Sequence, residues 1–331
     1  MGRASTTALE KDDLTNDFLQ KHGWAEATSA PLPGDFSARA YLRLSRKKGT
    51  PSKALLMRMP QAQELPPFVL MQRLLAGAGA RVPEIYVADE TSGLALIEDL
   101  GTRRFDEFIE QGGEDELYRL ATDVLLHLHR EKARIIFAPE AKKFTADVFL
   151  DQACLLPEIL ALDVSAFRKA WGNALEMACE MPAGLMLRDY HAANIMILEH
   201  EHLHRRAALI DFQDGGLGPL PYDLASLLED ARRDVPDDLR REMIDYYLSK
   251  NASIPRDEFL RSYAILAAQR HVRVTAVLIR RWRETKDTNI KSYLARTLNL
   301  LSNHKAQPAL KNLFTWWKAH MPKSLLEKEG L

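Results

Sequence analysis

Apolar positions along the chain keep one rhythm before Gly101 and another after it. Residues from about Leu9 to Lys21 set apolar against charged positions at helical spacing and stop at Gly23, which predicts an opening helix. After a turn at Pro31 to Gly34 the period shortens to two. Ala40, Leu42 and Leu44 alternate with Tyr41 and Arg43, the pattern of a half-buried strand, and Ala54 to Met59 forms a second. Pro67 to Ala78 reads as helix, closed by Gly77 and Gly79 with Pro83 beyond, and strands follow near Glu84 to Ala88 and Leu94 to Ile97. Beyond Gly101 the chain turns helical. Glu114 to Arg130 puts Leu117, Leu120, Ala121, Val124, Leu125 and Leu128 on one face. Further helices are predicted over Thr145 to Leu162, Ser165 to Glu180, Tyr222 to Asp230 and Pro255 to Glu284, and through Leu300 and Trp316-Trp317. Two short apolar runs interrupt this half. Ile195 to Leu198 and Ala207 to Ile210 read as neighbouring strands joined by a polar turn.

That hairpin carries the chemistry. Each run abuts a loop with an aspartate, so pairing the strands brings Asp189, Asn194 and Asp211 together. Buried carboxylates without partners are costly, because leaving water disfavours the charged form. Two Asp and an Asn at strand ends therefore ask for a cation, and Mg²⁺ binds through one or two carboxylates plus substrate phosphates. The spacing Asp189-x4-Asn194, with Asp211-Phe212-Gln213 downstream, follows the phosphoryl-transfer arrangement of Asp base, metal-holding Asn and metal-holding Asp. A competing reading makes the loop an Asx-type turn and Asp211 an unrelated surface group. His200, His202 and His204 resemble a metal tract, but they lie at the hairpin tip away from these strand ends, so a solvated turn is expected there.

These residues resemble the aminoglycoside phosphotransferase and choline kinase branch of the protein-kinase-like superfamily, whose loop usually reads HGDxxxxN or HRDxxxxN. Leu187 stands in place of the His. Gly218-Pro219 and Tyr222-Asp223-Leu224-Ala225-Ser226-Leu227-Leu228 look like the subgroup of N-acetylmuramate/N-acetylglucosamine kinases, and the likeness extends more weakly over most of the chain. The resemblance implies an α+β, bilobal protein-kinase-like fold: residues 1–100 as a small β-rich nucleotide-binding lobe and hinge, residues 101–331 as a larger, mainly helical lobe. It implies ATP and Mg²⁺, and transfer to the anomeric hydroxyl of a cell-wall amino sugar in cell-wall recycling. Asp189 would be the base, with Arg188 beside it, and Asn194 and Asp211 would hold metal. Asp223, at a helix N-terminus, would be structural.

On the nucleotide side the usual signatures are thin. Gly34-Asp35-Phe36-Ser37-Ala38-Arg39 stands where a phosphate-covering turn belongs but has a single glycine, leaving backbone N–H groups, Ser37 and Arg39 as phosphate donors. The strand that carries the phosphate-gripping Lys in protein kinases offers Arg58 inside it and Lys53 at its start; by alternation Arg58 faces either cleft or solvent. Leu94 to Gly101 looks like the interlobe hinge, where adenine would meet backbone groups near Glu98 and Leu100. On the acceptor side, Gln269, Arg270 and Arg273 match the amino-sugar kinase subgroup, and Asp214 could approach the metal.

Composition narrows the alternatives. Charged residues make up 27% and hydrophobic ones 46% of 331, ordinary for a globular chain long enough for two lobes. A net charge of −1 provides no field to recruit nucleic acid or acidic membranes. The arginines between Pro255 and Glu284 form no stripe and few aromatics interleave them, so a nucleic-acid surface is not expected. Cys154 and Cys179 are too few for a disulfide framework and suit a reducing cytoplasm. No membrane span or signal-peptide core is evident, and the short Met1-Gly2 myristoylation pattern is discounted. Remaining alternatives are an aminoglycoside or other small-alcohol kinase, a protein kinase, and a nucleotide-binding regulator without turnover. The absence of an A-P-E-like segment argues against the protein kinase, and the Asp189/Asn194/Asp211 set against the regulator. Oligomeric state stays open.

Overall fold

A computed structural model describes residues 12–32, 39–109, 112–130, 139–321 and Leu325. The chain enters through α1 (Asp13–Lys21), whose N-cap Asp12 accepts the Thr15 N–H at 2.9 Å. The part of the predicted opening helix before Asp12 lies outside the described residues. Five antiparallel strands follow: β1 (Thr28–Pro31), β2 (Ala40–Ser45), β3 (Lys53–Arg58), β4 (Ile85–Asp89) and β5 (Leu94–Ile97), in the order β1-β2-β3-β5-β4. Alternation gives this sheet two apolar faces. Leu42, Leu44, Leu56 and Leu96 pack under Phe18 and Leu19 of α1, whereas Met57, Ala95 and Ile97 join the main core with α2 (Leu65–Gly77).

The helical part is built on α3 (Phe105–Ile109), α4 (Glu114–Arg130), α5 (Ala146–Ile159), α6 (Val164–Trp171), α7 (Ala174–Cys179), α8 (Pro221–Leu228), α9 (Asp237–Lys250), α10 (Arg256–Thr285), α11 (Asn289–Asn303) and α12 (Lys311–His320). One helix predicted over Ser165 to Glu180 is in fact two. Gly172, with φ at 52°, takes a conformation that ends α6. The thirty-residue α10 is the axis of this lobe, flanked by α5, α7, α8 and α11. Its buried residues run all round the middle, from Ile265 and Leu266 to His271 and Thr275, because it has neighbours on every side.

Two short pairings position the site. β6 (Ala183–Met186) pairs with β9 (Gly216–Pro219), setting Met186 opposite Gly216, and β7 (Ile195–Ile197) pairs with β8 (Ala207–Leu209), setting Ile195 opposite Leu209. Gly216 is required by close approach, since a Cβ there would lie 2.2 Å from the Lys142 carbonyl oxygen. Arg81 couples the two lobes: its carbonyl accepts the Leu209 N–H at 2.8 Å, and its guanidinium ion-pairs with Glu98 and Glu201. The main core continues through this junction, where Phe68 of α2 stacks on Phe212 with ring centroids 5.1 Å apart. Among the described residues no helix is long and apolar enough to cross a membrane.

Candidate active site

The loop between β6 and η-turn residues Ala192 to Asn194 is held from beneath by one carboxylate. Asp223, in the first turn of α8 and fully buried, accepts the Leu187 N–H at 2.5 Å and the Arg188 N–H at 2.9 Å. Burial pushes its carboxyl up to about 7, with the two backbone donors opposing the rise. This anchor fixes Arg188 at φ 68°, a left-handed conformation that costs a non-glycine residue about 1–2 kcal/mol. Asp211 takes a similar one at φ 58°. The two aspartate loops are thus each turned sharply, one at Arg188 and the other at Asp211.

From that turn Asp189 projects toward an imidazole and a guanidinium. Its carboxylate lies 3.5 Å from His191 Nε2 and 3.7 Å from an Arg270 guanidinium nitrogen. Burial alone would raise Asp189, but His191, Arg232 and Arg270 outweigh it and hold the group well below the usual carboxylate range. Asp189 therefore stays ionised near neutrality, as a hydrogen-bond acceptor for an incoming hydroxyl must. Asn194 is buried and donates from Nδ2 to the Asp189 carbonyl at 2.9 Å, while the Ile210 N–H on the Asn194 carbonyl ties it to the strand that delivers Asp211. Asp189, Asn194 and Asp211 thus converge on one end of the β7–β8 hairpin. The oxygens of Asp211 and the Asn194 amide are hard donors of the kind Mg²⁺ takes, and Asp211 already holds a cation, the Arg39 guanidinium.

Arg39 also donates to Gln213 Oε1 at 2.7 Å, and Gln213 Nε2 donates to Asp211 at 3.1 Å. Of the two cations predicted for the phosphates, Arg39 reaches the cleft and Arg58 does not. Arg58 shares its face of β3 with Leu56, toward α1, and its guanidinium sits on Asp12 at 2.7 Å and Thr15 at 3.1 Å. That corrects the expectation for Arg58: the strand's pleat sends it to the opposite side of the sheet from Met57. Ser37 lies outside the described residues. At the hinge, the Glu98 N–H is taken by the Glu84 carbonyl at 2.8 Å and its side chain by Arg81, so neither group of Glu98 is open to adenine. Leu100 packs with Met196, Leu198 and Ala208, an apolar surface between hinge and hairpin.

Around Asp189, Arg188 pairs with the exposed Asp214 at 3.2 Å, and Arg273 lies close to Tyr222, Asp189 and Asp214. Arg270 is 1% exposed, and its contacts to Asp189 and to the Glu229 carbonyl (3.4 Å) are both long. The Nε atoms of Arg188, Arg270 and Arg273 are buried with no hydrogen bond among the described residues. Lys142, whose pKa is lowered by burial and by Arg188, adds a fourth cation. Gln269, in contrast, is fully buried and donates to the Phe149 carbonyl at 2.8 Å, joining α10 to α5. One residue along a helix turns the side chain by about 100°, so Gln269 leaves the acceptor wall that Arg270 borders.

Sequence reasoning left His191 and Lys142 without a role. His191 sits two residues after Asp189, and that nearness in sequence was its only signal; its burial against the carboxylate belongs to the fold. The histidine tract is also different from expectation: His204 is not merely solvated but stacks on His127, with centroids 3.8 Å apart, against the α2 end near Gly79.

A two-lobed molecule with a carboxylate-bearing loop between the lobes has the architecture of small-molecule kinases, and the relatives of this chain show it to be one. The chain belongs to the phosphotransferase enzyme family, whose model matches residues 28–260. It is 26% identical to the N-acetylmuramate/N-acetylglucosamine kinase of Caulobacter vibrioides, over 96% of this chain and 98% of that one. It is 28% identical to the enzyme of the same name from Pseudomonas aeruginosa, over 81% and 82%. In fold it resembles an ethanolamine kinase of Plasmodium vivax, with a TM-score of 0.65 at 12% identity, covering 90% of this chain and 91% of that one.

Proposed function

We propose that this kinase transfers the γ-phosphoryl group of ATP to the anomeric hydroxyl of a neutral or anionic N-acetylated amino sugar, in the cytoplasm and as a step of cell-wall recycling. The observation that carries the reading is the layer of Arg188, Arg270 and Arg273 around Asp189, with guanidinium Nε atoms that have no hydrogen bond among the described residues. Such a wall repels a polycationic aminoglycoside and accepts a neutral sugar or the lactyl carboxylate of N-acetylmuramate. The printed names of the Caulobacter and Pseudomonas relatives support the same acceptor class.

In this reading the acceptor hydroxyl donates its hydrogen bond to Asp189, which orients it and takes its proton as the oxygen attacks. Asp223 and His191 keep that carboxylate in place by fixing the backbone and one flank. Asp211 and Asn194 would hold Mg²⁺, which neutralises charge on the transferring phosphoryl group when bound. Arg39, drawn toward the same aspartate, stands ready to pair with phosphate oxygens instead. Phosphoryl transfer is chiefly positioning and charge neutralisation, so these groups suffice.

Steady-state kinetics on N-acetylmuramate, N-acetylglucosamine and a kanamycin-type aminoglycoside test the proposal. Turnover of one or both sugars and none of the antibiotic is expected. Efficient phosphorylation of the aminoglycoside with neither sugar consumed would sink it.

A further inference from the structure

A second cluster of ligand-type side chains lies beside this site and has no part in the chemistry above. Glu229 follows α8 and is buried; His271 is a wholly buried residue of α10; His304 follows α11. Their ligand atoms all lie within 4.8 Å of one another. One oxygen, Glu229 Oε2, faces both imidazoles, 2.7 Å from His271 Nε2 and 2.9 Å from His304 Nε2. The two rings are nearly parallel, 18° apart, with centroids at 6.1 Å, and both turn Nε2 to the same Glu229 oxygen.

We propose that Glu229, His271 and His304 form a structural site for a divalent transition metal, with Zn²⁺ the fitting ion. Two imidazoles and a carboxylate are a borderline-soft donor set that suits zinc and is foreign to Mg²⁺, which takes oxygen ligands. Three separate segments converge here, so an ion would tie the ends of α8 and α11 to the middle of α10. Zinc bonds of about 2.0–2.2 Å at tetrahedral angles need ligand atoms about 3.3 Å apart, so the side chains must draw back by a few tenths of an ångström.

Two further observations point to a ligand. The Tyr263 ring stands against the cluster, its centroid 6.5 Å from that of His304, and its buried hydroxyl makes no hydrogen bond of good geometry among the described residues. Glu229 also lines a cavity of about 60 Å³ with Asp230, Asp234, Asn299 and Asn303, the last three exposed. That cavity gives an ion a route from solvent and can supply a water as fourth ligand. The basic groups there do not repel it, because Arg233, Arg240 and Arg296 are paired with Glu114, Asp237 and Asp234.

The test uses the full chain, stripped with a chelator and titrated with Zn²⁺ against a chromophoric competitor, with bound metal counted by mass spectrometry. One zinc per chain is expected, and the thermal midpoint should rise by roughly 5 °C at a hundredfold excess over Kd. His304→Ala, at the rim of the cluster, should weaken binding by about 10²-fold or more and abolish the midpoint shift. His304→Cys, which keeps a zinc ligand, should restore it. Asp211→Asn, in the nucleotide cleft, should leave zinc binding unchanged. A wild-type chain that takes up no more zinc than His304→Ala would mean a hydrogen-bonded Glu–His–His group only, and the proposal fails. It fails equally if zinc is lost in Asp211→Asn and kept in His304→Ala.

Discussion

The acceptor side and the nucleotide side of the cleft are built by different means. Around Asp189 the chain is fixed in advance: Asp223 holds the loop backbone, His191 and Arg270 flank the carboxylate, and these three supports are buried. On the nucleotide side the described charge comes from Arg39, which reaches across the lobes to Asp211 and Gln213. A buried, pre-paired site costs little reorganisation when substrate arrives. A cross-lobe ion pair has to be exchanged for phosphate and metal, so binding there is linked to how the lobes meet.

Asp189→Asn breaks the prefixed half most directly. It keeps the side-chain shape but removes the acceptor charge, so turnover should fall by about 10²-fold or more while nucleotide affinity and thermal midpoint barely move. Near wild-type turnover would remove Asp189 from the role of base. Asp211→Ala strikes the other half. Nucleotide affinity should lose its dependence on Mg²⁺, measured by titrating metal against bound nucleotide; an unchanged metal requirement would transfer the ligand role to another residue such as Asp214.

Arg39, just before β2, and Arg58, at the end of β3, sharpen the contrast. Removing Arg39 by substitution with Ala should raise the KM for ATP by roughly tenfold, the worth of one charge-assisted contact. Arg58→Ala should leave it within about twofold and cost at most about 1 kcal/mol of stability, since its pair with Asp12 is half exposed. Equal effects on KM from both variants would contradict their placement on opposite faces.

A further effect concerns pH and acts on stability. Asp223 has its folded-state pKa raised to about 7 from an ordinary 3.8, so the folded chain binds the proton more tightly than the unfolded one. Its contribution is therefore fully present below the unfolded value and lost as pH rises through about 7. Melting curves of wild type and Asp223→Asn from pH 5 to 8 should show the wild type gaining on the variant as pH falls. A gap that widens in the opposite direction would show that the carboxyl ionises more easily than its burial implies.

Much of this was written in the sequence as local pattern. The alternation at Ala40 to Leu44 and the helix from Glu114 to Arg130 are formed as their spacing implies, because period selects helix or strand when one face must be buried. The grouping of Asp189, Asn194 and Asp211 was equally legible, since a short hairpin leaves its two flanking loops no other place to go. The strands β1, β6 and β9 were not: four residues rich in Gly and Pro carry no period, and their pairing depends on partners far along the chain. Periodicity also could not say which neighbour covers a face. Only the tertiary structure turned Arg58 toward α1, drew Arg39 to Asp211, buried Gln269 against Phe149 and brought Glu229, His271 and His304 together from three segments. A residue's face is set within a few bonds, whereas its partner is set by how distant elements close around a shared core.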